Sequence, residues 1–288
     1  MADVVCVADC HCLLGEGPLW DAQRGWLWWV DIKGRRVERL DPASGERAGF
    51  DVPVRPAALA MRRDGTLLLA CEAGVGTFDP ATGAFAARSA LEPDRPGNRA
   101  NDGKTDPKGR FWIGTMDDGE RADSGALYRV DPDWSVTRVA DGLGIPNTVT
   151  HTRDGHTLLL ADSRQGELYA LPVEADGTVG ERRLFAKAEG QGSPDGSALD
   201  AEGFLWNAEW GAGRIVRYAS DGTIERVVLV PVSQPSSCAF GGPNLTTLYI
   251  TSARVGLSAE QLAREPLAGG LFAYEADVAG WPVTPFAG

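Results

Sequence analysis

A weak internal repeat is the feature of this sequence that most limits the folds open to it. Each copy contains a glycine turn, an apolar run of strand-forming residues, a short polar turn and a second such run. Six copies can be aligned, and the first five open at Gly25, Gly65, Gly109, Gly155 and Gly203. These glycines are 40, 44, 46 and 48 residues apart, and six copies in 288 residues average 48 residues each. Such lengths are typical of a four-stranded propeller blade.

The apolar runs predict strands that pack on both faces. Runs such as 26–31 and 111–115 are nearly continuous, as expected when neighbouring sheets cover both sides. The only helix expected is a short one at 258–263, with Ser258 as its N-cap. A β-sandwich or barrel is the alternative, but six similar two-strand units favour an all-β, six-bladed propeller with a central channel. We expect residues 1–288 to form this propeller as a single domain.

Charge and composition limit the partners and the location. The chain has 40 Asp and Glu against 28 Lys and Arg, a net charge of −12, which disfavours nucleic acid and anionic membranes. Apolar runs stay short of the ~18 residues of a spanning helix, and the N-terminus lacks signal-peptide features. Five cysteines, an odd number, do not indicate a disulfide framework. We expect a cytoplasmic protein with reduced thiols, either a monomer or a weak homo-oligomer.

Polar residues beside glycine or proline stand at the entry to several blades. The innermost strand of each blade lines the channel, so residues there can act at one of its mouths. Three of them, Glu16, Asn147 and Asp195, supply two carboxylates and one amide. Each alone is equally consistent with a polar turn. Together they suit one divalent cation, Ca²⁺, Mn²⁺, Mg²⁺, Fe²⁺ or Zn²⁺, with positions left for substrate and water.

The segment 98–106 is the densest group of hydrogen-bonding side chains, although a polar loop would have a similar composition. Strand alternation places Arg99 and Asn101 on one face and Asp102 on the other. The sequence offers few residues for other kinds of catalytic site. The chain has three histidines, and it lacks both a G-x-S-x-G nucleophile motif and a phosphate-binding glycine loop.

Six motifs, taken in order, resemble the senescence-marker-protein/regucalcin/gluconolactonase family. They are 14–20, 101–110 with 114–116, 146–147, 194–200, 238–242 and 248–254. The resemblance extends over residues 14–282, and the last blade is most similar to bacterial sugar-acid lactonases of the xylonolactonase, gluconolactonase and arabinonolactonase type. Each motif is weak alone, but their order along the chain is specific.

The resemblance implies a six-bladed propeller that holds one divalent metal at the channel mouth. It assigns the metal ligands to Glu16, Asn147 and Asp195. It further implies metal-assisted hydrolysis of an aldonolactone to the open-chain acid. Asp195 would also be the catalytic base that activates water, while the metal stabilises charge on the lactone oxygen.

The substrate-binding residues implied by the resemblance lie in two segments. Arg99 and Asn101 match the family residues near the sugar. A further acid follows the Gly-Thr-Met motif, and both Asp118 and Glu120 qualify for this position.

Three other functions stay open. A calcium-binding regulatory protein of the regucalcin type would bind Ca²⁺ without turnover, although tight Ca²⁺ sites use about six to eight oxygens. A non-catalytic scaffold would present an apolar patch at the mouth. A phosphotriester hydrolase on a similar propeller is the most distant of the three.

Overall fold

The computed structural model describes residues 3–288, which form 24 β-strands and one short α-helix. The strands make six antiparallel sheets of four strands each within this range. The innermost strands contact one another in a closed ring around a central channel. The prediction of a six-bladed β-propeller is confirmed.

The strands follow the blades in chain order, except that the first strand, β1 (Val5–Ala8), belongs to the sixth blade. Blade one contains β2 (Gly15–Asp21), β3 (Trp26–Asp31), β4 (Arg36–Leu40) and β5 (Arg47–Asp51). Blade two contains β6 (Pro56–Met61), β7 (Leu67–Cys71), β8 (Gly74–Asp79) and β9 (Ala84–Ala90). Blade three contains β10 (Asn98–Thr105), β11 (Phe111–Asp117), β12 (Gly125–Val130) and β13 (Val136–Leu143).

The remaining blades repeat this order from the channel outward. Blade four contains β14 (Pro146–His151), β15 (Thr157–Asp162), β16 (Glu167–Pro172) and β17 (Arg183–Lys187). Blade five contains β18 (Ser193–Leu199), β19 (Leu205–Trp210), β20 (Arg214–Tyr218) and β21 (Ile224–Leu229). Blade six contains β22 (Pro235–Gly241), β23 (Thr247–Ser252), β24 (Leu271–Glu275) and then β1.

The five glycines predicted to open the repeats lie in the turn between the first and second strands of each blade, and so one strand after the start of the blade. Gly25, for example, has a φ of 72° in the turn between β2 and β3, and the other four also have positive φ. Glycine adopts this conformation without steric cost. The polar segments placed ahead of the blades are therefore the innermost strands themselves. The predicted start of each blade was wrong because the strands that line the channel carry glycine, proline and polar residues instead of a long apolar run.

Apolar contacts hold the blades together. Within residues 3–288, six buried clusters occur, one at each junction between neighbouring blades. Trp28 and Trp29, adjacent on β3, point to opposite faces and enter two different clusters. These tryptophans therefore pack between neighbouring blades, and burial on both faces explains the continuous apolar runs.

Both ends of the chain contribute to ring closure. The N-terminal β1 pairs with β24, so the sixth sheet combines the two ends of the sequence. Near the C-terminus, Phe286 is fully buried and its ring lies 5.0 Å from that of Trp134. The amide of Phe286 also donates to the Met61 carbonyl at 2.7 Å. The C-terminal segment is thus fixed against blades two and three.

The single helix, α1 (Ala259–Arg264), lies between β23 and β24. Ser258 accepts from the Gln261 amide while the Gln261 side chain accepts from the Ser258 amide, which forms a capping box. The predicted helix and its N-cap are confirmed. This helix is too short to cross a membrane, and no other helix occurs in residues 3–288.

Each innermost strand contains an irregularity close to its start. The strand register shifts between residues 16 and 19, 56 and 58, 100 and 103, 147 and 150, 194 and 197, and 235 and 237. Such β-bulges bend a strand and redirect its side chains. We call the channel end at which these strands begin the first mouth, and the opposite end the second mouth. The bulges surround the first mouth.

Candidate active site

Three predicted metal ligands lie at the first mouth, each on a different innermost strand. Glu16 is on β2, Asn147 on β14 and Asp195 on β18, all within the first three residues of the strand and all buried. Each occupies a bulge. The bulges therefore explain how three strands from separate blades present oxygen atoms to one region.

The two carboxyl groups are poorly solvated. Burial raises the pKa of Glu16 to about 8, and the nearby charge of Asp102 adds to this effect. Burial also raises the pKa of Asp195 well above its usual range, with further contributions from the charges of Glu16 and Asp102. A cation between these acids would offset both the repulsion and the loss of water.

Hydrogen bonds fix the orientation of the Asn147 amide. Its Nδ2 donates to the hydroxyl oxygen of Ser163 at 2.8 Å, and its Oδ1 accepts from Asn101 Nδ2 at 2.9 Å. The Ser163 hydroxyl in turn donates to the Pro194 carbonyl at 2.6 Å. Because an amide oxygen has two lone pairs, Oδ1 keeps one acceptor position for a ligand.

Hydrogen bonds from two neighbouring strands, β14 and β19, hold the backbone at Asp195. Its carbonyl accepts from Thr148 Oγ1 and, at 2.8 Å, from Asn207 Nδ2. Thr148 has a φ of 54°, which is rare for a β-branched residue. Strained residues of this kind are concentrated at functional sites. Neither partner was predicted from the sequence, since nothing near Asn207 distinguishes it from other strand residues.

Arg99 and Asn101 lie together beside this group. Arg99 is buried, and its Nη1 donates to Asn101 Oδ1 at 2.7 Å. Burial lowers the pKa of the Arg99 guanidinium, as does the positive charge of Arg55. Arg99 Nε donates to Asp118 Oδ1 at 3.1 Å. The structure thus brings Arg99, Asn101 and Asp118 into one connected group.

The two candidate acids after β11 occupy different environments. Asp118 contacts Arg99 and also accepts from Arg55 Nη1 at 3.0 and 3.1 Å. Partial burial opposes ionisation of Asp118, but the two arginines outweigh it and hold its pKa below the usual value. Glu120 is exposed in a turn with a φ of 56°, and its charge acts on Arg99 from a greater distance. Of the pair, Asp118 is the acid directly connected to the site.

Neither the role of Arg55 nor the orientation of Asp102 was predicted from the sequence. Arg55 precedes β6 and connects to the site through its ion pair with Asp118 and its charge near Arg99, so no local motif marks it. Asp102 was predicted to face away from Asn101, yet its charge raises the pKa of both Glu16 and Asp195. The strand bulges between Ala100 and Gly103, and strict alternation fails there.

The oxygen donors at the first mouth fit a hard divalent cation. Within residues 3–288, no three His, Cys, Asp or Glu side chains gather as a metal-binding group, so a cation beside Glu16 and Asp195 would have the Asn147 amide as its third protein donor. Two carboxylates and one amide, all buried and all oxygen ligands, match the preference of such ions.

Comparison with known proteins gives a consistent result. The family model described as SMP-30/Gluconolactonase/LRE-like region matches residues 14–254. The chain is 36% identical to a 6-deoxy-6-sulfogluconolactonase of Pseudomonas putida, over 98% of each chain. It is 37% identical to an L-arabinolactonase of Azospirillum brasilense, over 98% of this chain and 95% of that one.

A solved structure extends the likeness to three dimensions. The crystal structure of a calcium-binding protein, regucalcin, from Agrobacterium tumefaciens superposes with a TM-score of 0.94. The two sequences are 34% identical, and the match covers 98% of this chain and 96% of that one. The protein belongs to the SMP-30/gluconolactonase/regucalcin family.

Proposed function

We propose that this protein hydrolyses a sugar lactone to the corresponding aldonic acid, with a divalent metal held by Glu16, Asn147 and Asp195. The observation that carries the proposal is that two buried carboxyl groups, of which Glu16 raises the pKa of Asp195, lie on innermost strands at the same mouth as the oriented amide oxygen of Asn147. The names of the Pseudomonas and Azospirillum relatives, both sugar lactonases, support the same reaction.

In this proposal the metal and Asp195 have separate tasks. A divalent cation held by Glu16, Asn147 and Asp195 would supply positive charge toward a lactone carbonyl oxygen. Asp195 would also act as the general base that takes a proton from the attacking water. The two hydrogen bonds to its backbone carbonyl hold it in place for this role.

The neighbouring polar group orients the sugar. Arg99 and Asn101 donate hydrogen bonds, and Asp118 accepts them, so together they can bind several hydroxyl groups of an aldonolactone. Glu120, exposed in the turn that follows β11, is a further candidate for contact with the substrate. Because Arg99 is itself buried, a sugar bound against it is partly removed from water.

We also propose the setting in which the reaction occurs. Residues 1–288 act as one domain, as a monomer or weak homo-oligomer in the cytoplasm, where the five free thiols stay reduced. The net charge of −12 argues against nucleic-acid and membrane partners.

The test is metal removal and addition. The protein is stripped with a chelator, single metals are returned anaerobically, and acid release is followed from glucono-, xylono-, arabinono- and galactonolactones. We expect one or more metals to restore a rate well above spontaneous ring opening. We expect Glu16→Gln, which keeps the shape but removes the charge, to abolish it. Equal rates with and without metal would contradict the proposal.

A second candidate function is calcium binding without turnover. The description of the Agrobacterium structure as a calcium-binding protein favours it, and the oxygen ligands are compatible with Ca²⁺. Calorimetry with Ca²⁺ alone, followed by the lactone assay on the same sample, separates the two. Tight Ca²⁺ binding with no acceleration of any lactone would favour this candidate.

A further inference from the structure

Two turns from neighbouring blades meet at the rim of the first mouth. The turn 118–124 of blade three follows β11, and the turn 163–166 of blade four follows β15. The last residues of β11 and β15 pair with the first residues of the innermost strands, so both turns lie at the first mouth. The turn of blade three carries the two candidate acids for the sugar, Asp118 and Glu120.

One side chain, Arg164, joins the two turns. Its Nη1 donates to the Glu120 carbonyl, and its Nη2 donates to the Arg121 carbonyl at 3.3 Å. Its Nε lies 3.0 Å from Asp123 Oδ1 in an ion pair. We call these three contacts the Arg164 clamp. An isolated exposed ion pair contributes little to stability, but here a planar guanidinium contacts three residues of one turn.

The base of the Arg164 side chain is also held in place. The Arg164 amide donates to Oδ1 of Asp162, a buried residue, at 3.2 Å. Gly144 leaves space for the stem of the side chain, because a Cβ at this position would lie 2.7 Å from Arg164 Cδ. A side chain that is fixed at its base loses less conformational entropy when it binds the turn.

The residue before Arg164 contacts the proposed metal site. The Ser163 hydroxyl oxygen accepts from Asn147 Nδ2 at 2.8 Å and donates to the carbonyl of Pro194, the neighbour of Asp195, at 2.6 Å. Two consecutive residues of blade four therefore support two parts of the site. Ser163 orients a proposed metal ligand, and Arg164 holds the turn that carries the acids.

The two acids of this turn are held by different contacts. The Asp118 carboxylate accepts from Arg55 and Arg99, which belong to other segments of the first mouth. The backbone at Glu120 is bound by Arg164. Loss of the Arg164 clamp should therefore change the position of Glu120 more than that of Asp118.

We propose that Arg164 is a positioning residue that determines which lactones are accepted, because it fixes the backbone of the turn 118–124. This inference rests on the proposed function. A fixed turn gives the rim of the first mouth one shape beside Glu120, so a lactone that matches this shape is favoured over others. A free turn would adapt to several lactones, but its ordering would cost free energy at each binding event.

Hydrogen exchange tests the clamp without any lactone or metal. The Glu120 amide donates to the Asp117 carbonyl at 2.9 Å, and the Arg121 amide donates to Asp117 Oδ2 at 2.8 Å. We expect these two amides to exchange about five- to ten-fold faster in Arg164→Ala, with β14 unchanged. Arg183→Ala, which removes an exposed arginine from β17 of the same blade, should exchange as the wild type does. Wild-type exchange in Arg164→Ala would overturn the proposal.

A second variant tests the ion pair of the clamp. Asp123→Asn removes the charge but leaves both carbonyl contacts of Arg164, so it should accelerate exchange less than Arg164→Ala does. Added to Arg164→Ala, it should have no further effect, because both changes act on the same contact. Fully additive effects would contradict the clamp.

Kinetics on the lactone panel test the role in specificity. In metal-loaded Arg164→Ala we expect KM for the best lactone to rise about three- to ten-fold, with kcat within about two-fold of wild type. The ratio of kcat/KM between the best and the poorest lactone should fall at least about three-fold. Arg164→Lys should recover part of this ratio, since an ammonium cannot make all three contacts. An unchanged ratio in Arg164→Ala would overturn the proposal.

Two further measurements exclude a merely structural effect. The melting temperature and the calorimetric metal affinity of Arg164→Ala should equal those of the wild type, because Ser163 still orients Asn147. A wild type that opens no lactone with any metal would show that the proposed function is wrong, and with it the role of Arg164 in specificity. An active wild type with no effect of Arg164→Ala on exchange or on lactone preference would refute this inference alone.

Discussion

Asn101 donates a 2.9 Å hydrogen bond to Asn147 Oδ1 and thereby joins the innermost strands of blades three and four. The Oδ1 of Asn101 accepts from Arg99 at 2.7 Å. One short chain of hydrogen bonds therefore connects a proposed substrate-binding arginine to a proposed metal ligand. With the proposed roles of Arg99 and Asn147, substrate binding and metal binding would be coupled through Asn101.

Asn101→Ala should weaken both functions. Without its partner the Asn147 amide loses one of two bonds that orient it, and loss of such a supporting contact costs ~10–100-fold in metal affinity or activity. Calorimetric metal affinity and kcat/KM for the best lactone measure the two effects. Asn98→Ala, on the same strand but bonded to Glu92 and Ser124, is the matched control. Unchanged metal affinity in Asn101→Ala would refute the coupling.

Glu16→Gln should stabilise the metal-free protein. Glu16 and Asp195 are buried acids that repel each other, so removal of one charge relieves the other. We expect a melting temperature a few degrees above wild type in chelator. Added metal should raise the melting temperature of the wild type but not that of the variant. Glu46→Gln, an exposed change, should behave as wild type. A variant less stable than wild type in chelator would contradict this expectation.

Arg55 and Arg99 should differ in their kinetic effects. Arg99→Ala removes a proposed contact with the sugar and should lower kcat/KM by ~100-fold or more, the scale of a lost charged hydrogen bond. Arg55→Ala acts on the site indirectly, through Asp118 and through its charge near Arg99, so we expect a rise in KM of ~10-fold or less with kcat retained. Metal affinity should be unchanged in Arg55→Ala. A larger loss in Arg55→Ala than in Arg99→Ala would show that Arg55 contacts the substrate itself.

His151 should make stability depend on pH in the acidic range. Its pKa is about 4 when folded, and near 6.5 in the unfolded chain, so the unfolded state binds the extra proton between these values. The free energy of unfolding should fall as pH drops from ~6.5 to ~4, by on the order of 3 kcal/mol. Denaturant titrations of wild type and His151→Phe across this range measure the difference. Parallel pH profiles for the two proteins would exclude this role, and His156→Gln should follow wild type.

Phe286→Ala should destabilise the propeller although it lies two residues from the C-terminus. The side chain is fully buried against Trp134, and truncation of such an aromatic costs ~3–5 kcal/mol. Val283→Ala, at an exposed position of the same segment, should cost less than ~1 kcal/mol. Denaturant midpoints give both values. Equal losses for the two variants would show that the segment is not fixed through Phe286.

The propeller could be predicted because its signals are local and repeated. Glycines such as Gly25 and Gly65 mark turns that require positive φ, and the apolar runs mark the second strands. The pairing of β1 with β24 could not be predicted, since it joins the two ends of the chain without a local motif. For the same reason the sequence did not reveal Arg55, whose position depends on a contact with a different blade.

The candidate site was partly predictable. Glu16, Asn147 and Asp195 stand in recognisable Gly and Pro contexts, and the structure places all three at one mouth. The orientation of Asp102 was not predictable from alternation. A bulge depends on how two strands pair, and the sequence of one strand does not specify that.

The six bulges show that the backbone geometry of the innermost strands does not depend on the residues proposed for catalysis. In blades two and six the corresponding positions are Ala57 and Ser236, which carry no charge. The backbone kink is present in these blades whichever side chain it carries. The two positions are not equivalent, because the Ser236 hydroxyl donates to the Gly15 carbonyl and so joins blade six to blade one, whereas the Ala57 side chain has no polar atom. New specificity can therefore arise by substitution at Ala57 without the loss of an inter-strand hydrogen bond.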